Sequence, residues 1–197
     1  MTDEELAALV ATGNEPAFEE LYERHKKHLF TFSLRFLADS ALAQDASQDA
    51  LLSAYRHIRH FQPGKGSFRQ WLYSIVFHEC CRISRQRTPC LSIDDRAVLP
   101  GSWEPQAASD PTTHLELEAA LGRLTLDYRL AVLLTKVHGL TISETAQVLG
   151  ISSTNAKQRV YRGLSALREM LSSPLTGPAG SHGEYRDKSC DVMKSKT

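Results

Sequence analysis

Apolar residues recur along most of this chain at three- and four-residue steps, the spacing that gathers them on one face of an α-helix. Phe18, Leu21, Tyr22, His25, Leu29, Phe32 and Phe36 form one long stripe of this kind. A shorter amphipathic turn, Glu5–Val10, precedes it and stops at Gly13-Asn14-Glu15-Pro16. Asn14 can cap the long helix and Pro16 is tolerated in its first turn. Ala43, Ala46, Ala50, Ala54 and Ile58 make a stripe of mostly small residues on a third helix, capped by Asp39 or Ser40. Its other face carries Asp45, Gln48, Asp49 and Leu52, which is acidic with one apolar residue. Pro63, Gly64 and Gly66 then break the pattern before a fourth helix runs from Phe68 past His78. Residues 1–87 therefore read as one helical domain.

Between residues 88 and 113 the periodicity vanishes among Pro89, Pro100, Gly101, Pro105 and Pro111. A connection of about 25 residues is long inside one compact domain, so it reads as a flexible, mildly acidic linker. Asp110-Pro111 marks a new helix start, with Leu117, Leu121 and Leu124 as its stripe. Thr125 restarts a helix with Leu126, Leu130, Leu133, Leu134 and Val137 inward, ended by Gly139. Thr141-Ile142-Ser143-Glu144 has the spacing of a capping box. The short helix Ile142–Leu149 stops at Gly150, and Ser152 or Ser153 opens a last helix to about Arg168. Ala156, Val160, Leu164 and Leu167 face inward there, while Thr154, Lys157, Gln158, Tyr161 and Arg162 face out. Helix, glycine turn and a helix with a polar, cationic outer face is a helix-turn-helix, whose second helix enters the major groove of DNA. Gly163 sits awkwardly in it, since glycine costs about 1 kcal/mol relative to alanine inside a helix. The fold expected is all-α: two small helical domains, 1–87 and 114–172, a linker, and a disordered tail over 173–197.

With 42 % apolar and 23 % charged residues, composition is that of an ordinary globular protein. No apolar run approaches the roughly 20 residues of a membrane span, and the acidic start is unlike a signal peptide. A cytoplasmic protein with no membrane insertion is expected. The net charge of zero hides a segregation. Residues 1–52 hold ten acids against four bases, and Ser53–Thr88 holds seven bases against one acid, Glu79. Such halves suit two different partners, one of them polyanionic.

In the basic stretch, aromatics alternate with cations, as a single-stranded nucleic-acid surface requires: cations track phosphates and rings stack on unpaired bases. The plainer alternative makes Phe68, Trp71, Leu72, Ile75 and Val76 a helical core stripe. No nucleophile–base order or phosphate-cradling loop is present, and Gly64-Lys65-Gly66 is too short for one. A metal or redox sensor built on His78, Cys80, Cys81, Cys90, His182 and Cys190 lacks the Cys-x-x-Cys spacing of zinc sites. No metal and no cofactor are expected.

Taken in order, four motifs resemble the extracytoplasmic-function (ECF) type of bacterial RNA polymerase sigma factor, which has only regions 2 and 4. They are Ala17–Tyr22, Ala43–Ala50, Gly66–Ile75 and Gly139–Ala146 with Gly150-Ile151-Ser152. The chain departs from the usual family pattern at Ser74, His78, Asn155, Ala156 and Gly163. The resemblance implies that Asp45, Gln48, Asp49 and Leu52 dock on core RNA polymerase. It assigns Lys65, Ser67, Phe68, Arg69, Trp71, Tyr73, Ser74, His78 and Arg82 to the opened −10 strand of promoter DNA. It assigns Thr154, Lys157, Gln158, Arg159, Tyr161 and Arg162 to the −35 element. The linker would thread the channel by which RNA leaves, the chain itself would catalyse nothing, and an anti-sigma factor is the implied regulator. The rival reading is a stand-alone helix-turn-helix regulator, which leaves the acidic face and the aromatic-basic segment without a role.

Overall fold

Side-chain caps start the helices where polar residues precede the apolar stripes. Thr2 and Glu5 form a reciprocal capping box at the head of α1 (Asp3–Ala11). Asn14 accepts from the Ala17 amide to open α2 (Glu15–Leu37). Asp39 accepts from the Leu42 amide to open α3 (Ser40–His57). A 3-10 turn, Ile58–His60, and the glycine loop lead to α4 (Phe68–Arg87). The computed structural model describes residues 1–87 and 111–172, so the expected linker over 88–110 and the tail lie outside the described residues. The second group comprises α5 (Pro111–Arg123), α6 (Leu126–Val132), α7 (Ile142–Leu149) and α8 (Ser153–Ser172). All elements among the described residues are helical.

The long stripe of α2 is buried as its spacing requires: Leu21, Leu29, Phe32 and Phe36 are each at most 2 % exposed. Burying a side chain of this size stabilises the fold by about 1.5–3 kcal/mol. On α3 the alanines at 43, 46, 50 and 54 are buried, and their small size lets α3 lie closely against α2 and α4. His25 joins this core, its Nε2 bonded to Asp3 of α1 at 2.9 Å. Burial lowers its pKa against the pull of that carboxylate, so a packed histidine is what the stripe contains.

Both expected helical domains are present, but they share a core. Leu126, Leu130, Leu134, Leu140 and Val148 are continuous with Phe32, Leu72 and Val76 of the first group. A smaller cluster, with Leu121, Leu124, Val132, Leu133 and Leu167, lies inside the second group alone. Arg35 of α2 and Glu118 of α5 form a buried ion pair across the junction. Arg129 donates to the carbonyls of Leu121, Gly122 and Leu124, and across to that of Arg35.

Two expected inward residues face out. Val137 is 49 % exposed because α6 ends in a π-helical turn, Leu133–Val137, which rotates the helix phase; the His138 amide bonds the Leu133 carbonyl. Leu117 is 39 % exposed, since α5 instead buries Glu118, Ala120 and Leu121, with Leu124 buried just beyond its end. Gly163 has a packing reason. A Cβ there would lie 2.7 Å from Val132 Cγ2 and 3.2 Å from the Tyr128 carbonyl oxygen, so only glycine lets α8 press onto α6. Gly163→Ala should therefore destabilise the protein by about 1–2 kcal/mol, overpacking outweighing the propensity gain. Thermal melts measure this, and a raised midpoint would contradict the close-approach account.

Candidate nucleic-acid interface

The acidic residues of α3 lie opposite its alanines, so helical geometry alone puts them outside. Asp45, Gln48 and Asp49 are exposed and Leu52 is 51 % exposed beside them. Tyr55 extends the patch, its ring 4.6 Å from that of Phe18. Arg82, expected among the −10 residues, lies beside this patch, bridging Asp49 at 3.1 Å and Glu79 at 2.7 Å. Both pairs are solvent-exposed, which keeps their contribution to stability small.

The loop before α4 is built around a buried ring. Ser67 caps the helix, its Oγ accepting from the Gln70 amide at 3.2 Å, and Glu4 accepts from the Phe68 amide at 3.1 Å. Phe68 is 2 % exposed and packs against Phe61, Trp71 and His25. It therefore holds the loop from beneath and presents no face to a base. Above it opens a cavity of about 270 Å³ lined by His60, Phe61, Gln62, Lys65, Gly66, Ser67, Gln70, Trp71 and Ser74. A half-buried indole, amide side chains and one cation suit a flat heterocycle attached to a phosphate. His60, Phe61, Gln62 and Gln70 are members that sequence spacing did not single out; only the folded loop brings them to the rim. Ser74 and His78 continue the stripe along α4, with His78 Nδ1 donating to the Ser74 carbonyl at 2.6 Å.

Tyr73, expected with Phe68 at the −10 strand, is buried as Phe68 is. It is 2 % exposed, and burial raises its pKa, so the hydroxyl remains a donor. It donates to Nδ1 of His138, 2.7 Å away on the second domain, which leaves the ring proton on Nε2. Arg69 Nη1 donates to the His138 carbonyl at 3.3 Å. Ser67 Oγ donates to Glu144, and Gln70 Nε2 to Gln147. The loop and first turns of α4 are thus engaged by α7 and the residues before it.

His138 is 4 % exposed. Desolvation, helped by the nearby charges of Arg35, His28 and Arg69, pushes its pKa down to about 3. A cavity of about 370 Å³ adjoins it, lined also by Asp3, Arg24 and His25. Asp3 already pairs with Arg24 and His25 there.

Thr141 and Glu144 form the expected capping box of α7, and Gly150 ends it in the left-handed region at φ 67°. Ser152 Oγ then accepts from the Asn155 amide to start α8. Ala156, Val160 and Leu167 are buried, while Thr154, Lys157, Gln158, Tyr161 and Arg162 are exposed, Tyr161 to 75 %. Arg159 differs from them: it is half-buried and pairs with Asp127 of α6 at 3.0 Å, anchoring the helix. Cys80 and Cys81 are buried, and burial pushes the Cys80 thiol up to about 12, which makes it a poor nucleophile or ligand. Cys90, His182 and Cys190 lie outside the described residues.

The Sigma-70 region 2 family model matches residues 21–89, and the Sigma-70 region 4 model matches residues 114–167. RNA polymerase sigma factor CarQ of Myxococcus xanthus is 36 % identical over 81 % of this chain and 91 % of its own length. ECF RNA polymerase sigma factor SigM of Mycobacterium tuberculosis is 32 % identical, covering 89 % of this chain and 88 % of that one. Among solved structures, CnrH in complex with the cytosolic domain of CnrY superposes with a TM-score of 0.64 at 26 % identity, covering 86 % of this chain and 96 % of that one. RpoE of Bartonella quintana, in complex with the anti-sigma factor NepR, shares the fold with a TM-score of 0.61 at 23 % identity, over 78 % of this chain and 96 % of that one.

The buried, neutral His138 sets a pH dependence. Its folded-state pKa lies below the ordinary value of 6.5, so its contribution is complete above pH 6.5 and is lost as pH falls towards 3. Lowering pH from about 7.5 to 5.5 should cost about 1.4 kcal/mol from this residue, with His25 adding in the same direction. Melting temperatures across that range should fall less in His138→Gln than in the wild type. Parallel pH profiles for the two proteins would exclude His138 as the source.

Proposed function

The chain belongs to the sigma-70 family as a sigma factor of the ECF type, and from that membership we propose that it binds core RNA polymerase and directs it to specific promoters, opening the −10 region. The observation that carries this reading is the cavity between Trp71, Phe61 and Lys65 on one side of the first domain, with the acidic face of α3 on another. A base flipped from the duplex exchanges its stacking for such a pocket, which favours strand opening. Asp45, Gln48, Asp49 and Leu52 dock on the polymerase, where DNA phosphates would be repelled. Lys65, Ser67, Arg69, Trp71, Ser74 and His78 line or flank the path of the unpaired strand. Phe68 supports the pocket floor, and Arg82 orients the polymerase-facing patch through Asp49.

Lys157, Gln158, Tyr161 and Arg162 read or anchor the −35 element, with Thr154 at the helix start and Arg159 as the α6 anchor. Catalysis belongs to the polymerase, and the protein acts in the cytoplasm. Among the described residues no helix is long and apolar enough to cross a membrane. An anti-sigma factor is its proposed regulator, by analogy with the complexes of CnrH and RpoE. The stand-alone regulator uses only α7 and α8 and gives the loop cavity no ligand.

Run-off transcription with purified core polymerase on genomic DNA tests the reading. The wild type should yield discrete promoter transcripts, and Lys157→Ala or Arg162→Ala should each lose about 1–3 kcal/mol in promoter affinity. Asp45→Lys with Asp49→Lys should abolish core binding while leaving the helical content intact, because both residues face solvent. Tight, sequence-specific operator binding by the free protein, unaffected by core polymerase, would favour the stand-alone regulator instead.

A further inference from the structure

We propose that the cavity between α2, the start of α4 and residues 137–139 binds a small oxyanion, a phosphate or a phosphate ester. The site goes beyond the promoter function proposed above, which gives this cavity no ligand. Its volume of about 370 Å³ is that of a small-ligand pocket. His28 of α2 and Arg69 of α4 both line it, and both are exposed. Arg69 is a cation held in place without a carboxylate in contact. Its Nη1 donates to the His138 carbonyl at 3.3 Å, its one hydrogen-bond partner among the described residues. Gly139, at φ 71°, makes room for it, since a Cβ there would lie 3.3 Å from the same nitrogen. His28 points an edge at the His138 ring, with 6.4 Å between centroids, and its nitrogens bond no described residue.

The sign of the cavity follows from its charges. Its one carboxylate, Asp3, is already spent on Arg24 at 3.0 Å and His25 at 2.9 Å. The cationic side has no such partner. Besides desolvation, Arg69 and His28 both push down the pKa of His25 and of His138, the two buried imidazoles of the lining. Two neutral rings thus face two donors whose charges nothing in the cavity offsets. An oxyanion seated between Arg69 and His28 would complete their hydrogen bonds and relieve that repulsion. A doubly charged phosphoryl group suits two such donors better than a carboxylate, and a guanidinium fork matches its geometry. The space beyond the two donors, walled by imidazole rings, takes the organic part of an ester.

The test titrates the full chain by calorimetry with inorganic phosphate and with ribose 5-phosphate. Potassium chloride holds the ionic strength constant, so that general screening cancels. At least one of the two probes should bind saturably at one per chain. His28→Gln should weaken it about tenfold, the loss of one charge-assisted hydrogen bond. Val137→Glu puts a carboxylate at a lining position that is 49 % exposed, and should abolish binding without disturbing the core. Lys26→Gln removes an exposed cation of α2 outside the lining and should change nothing. No saturation by either probe at about 10 mM would overturn the site. So would wild-type affinity in Val137→Glu, which decides the matter even if His28→Gln fails to fold. A fluorescent single strand of about 15 nucleotides separates the sources of the phosphoryl group. Competition between strand and phosphate assigns the site to a nucleic-acid backbone, and independent binding assigns it to a free phosphorylated molecule. A wild type that binds phosphate yet fails in run-off transcription sinks the sigma reading alone; one that transcribes without binding phosphate sinks only the anion site.

Discussion

Helix α4 must satisfy two sets of neighbours with one cylinder, and the buried Tyr73 hydroxyl is where that constraint is sharpest. A phenol removed from water needs a hydrogen-bond partner, and nothing in the first domain supplies it. The partner is His138, across the junction, which is itself neutral because it is surrounded by cations and apolar rings. With the Ser67–Glu144 and Gln70–Gln147 bonds, this contact holds α7 and the residues before it on α4. The shared leucine and valine core then fills in around it.

The same helix separates the surfaces that the net charge of zero conceals. Its inner face packs on α2 and α3, and no acidic residue of α3 lines the cavity that carries Lys65. Arg82, at the far end of α4, joins the acidic patch and tempers it. The arrangement gives one small domain an exposed anionic face on α3 and an aromatic cleft with Lys65 at its rim. Few of the ion pairs involved are buried, so their value lies in placement and steering more than in stability.

The candidate site shows where a one-dimensional pattern misleads. Aromatics next to cations look alike in sequence whether they stack on a base or hold up the loop that does. Phe68 packs beneath the loop and Tyr73 bonds His138, because the α4 face they share points into the core, whereas Trp71 reaches the cavity rim. Arg159 and Arg82 repeat the point for charges, since each has an acid from another helix within reach. Conversely His60, Phe61, Gln62 and Gln70 carry no individual signal, being ordinary residues that the loop folds around one cavity.

By itself the sequence determined the helices, their caps and their inward faces. These depend on interactions spanning three or four residues: Asn14, Asp39 and the Thr141–Glu144 box act where they were read. It also determined the family, because the motifs lie in order along most of the chain. Tertiary structure alone decided three things. Gly163, a defect by helix propensity, is required by the approach of α8 to α6. Val137 faces out because the π-helical turn at Leu133 shifts the phase assumed by a regular period. The docking of one domain on the other joins residues about 65 to 95 positions apart, such as Tyr73 with His138 and Arg35 with Arg129. No local periodicity carries that information, since each partner's pattern is satisfied within its own helix and the pairing is chosen only when two surfaces meet.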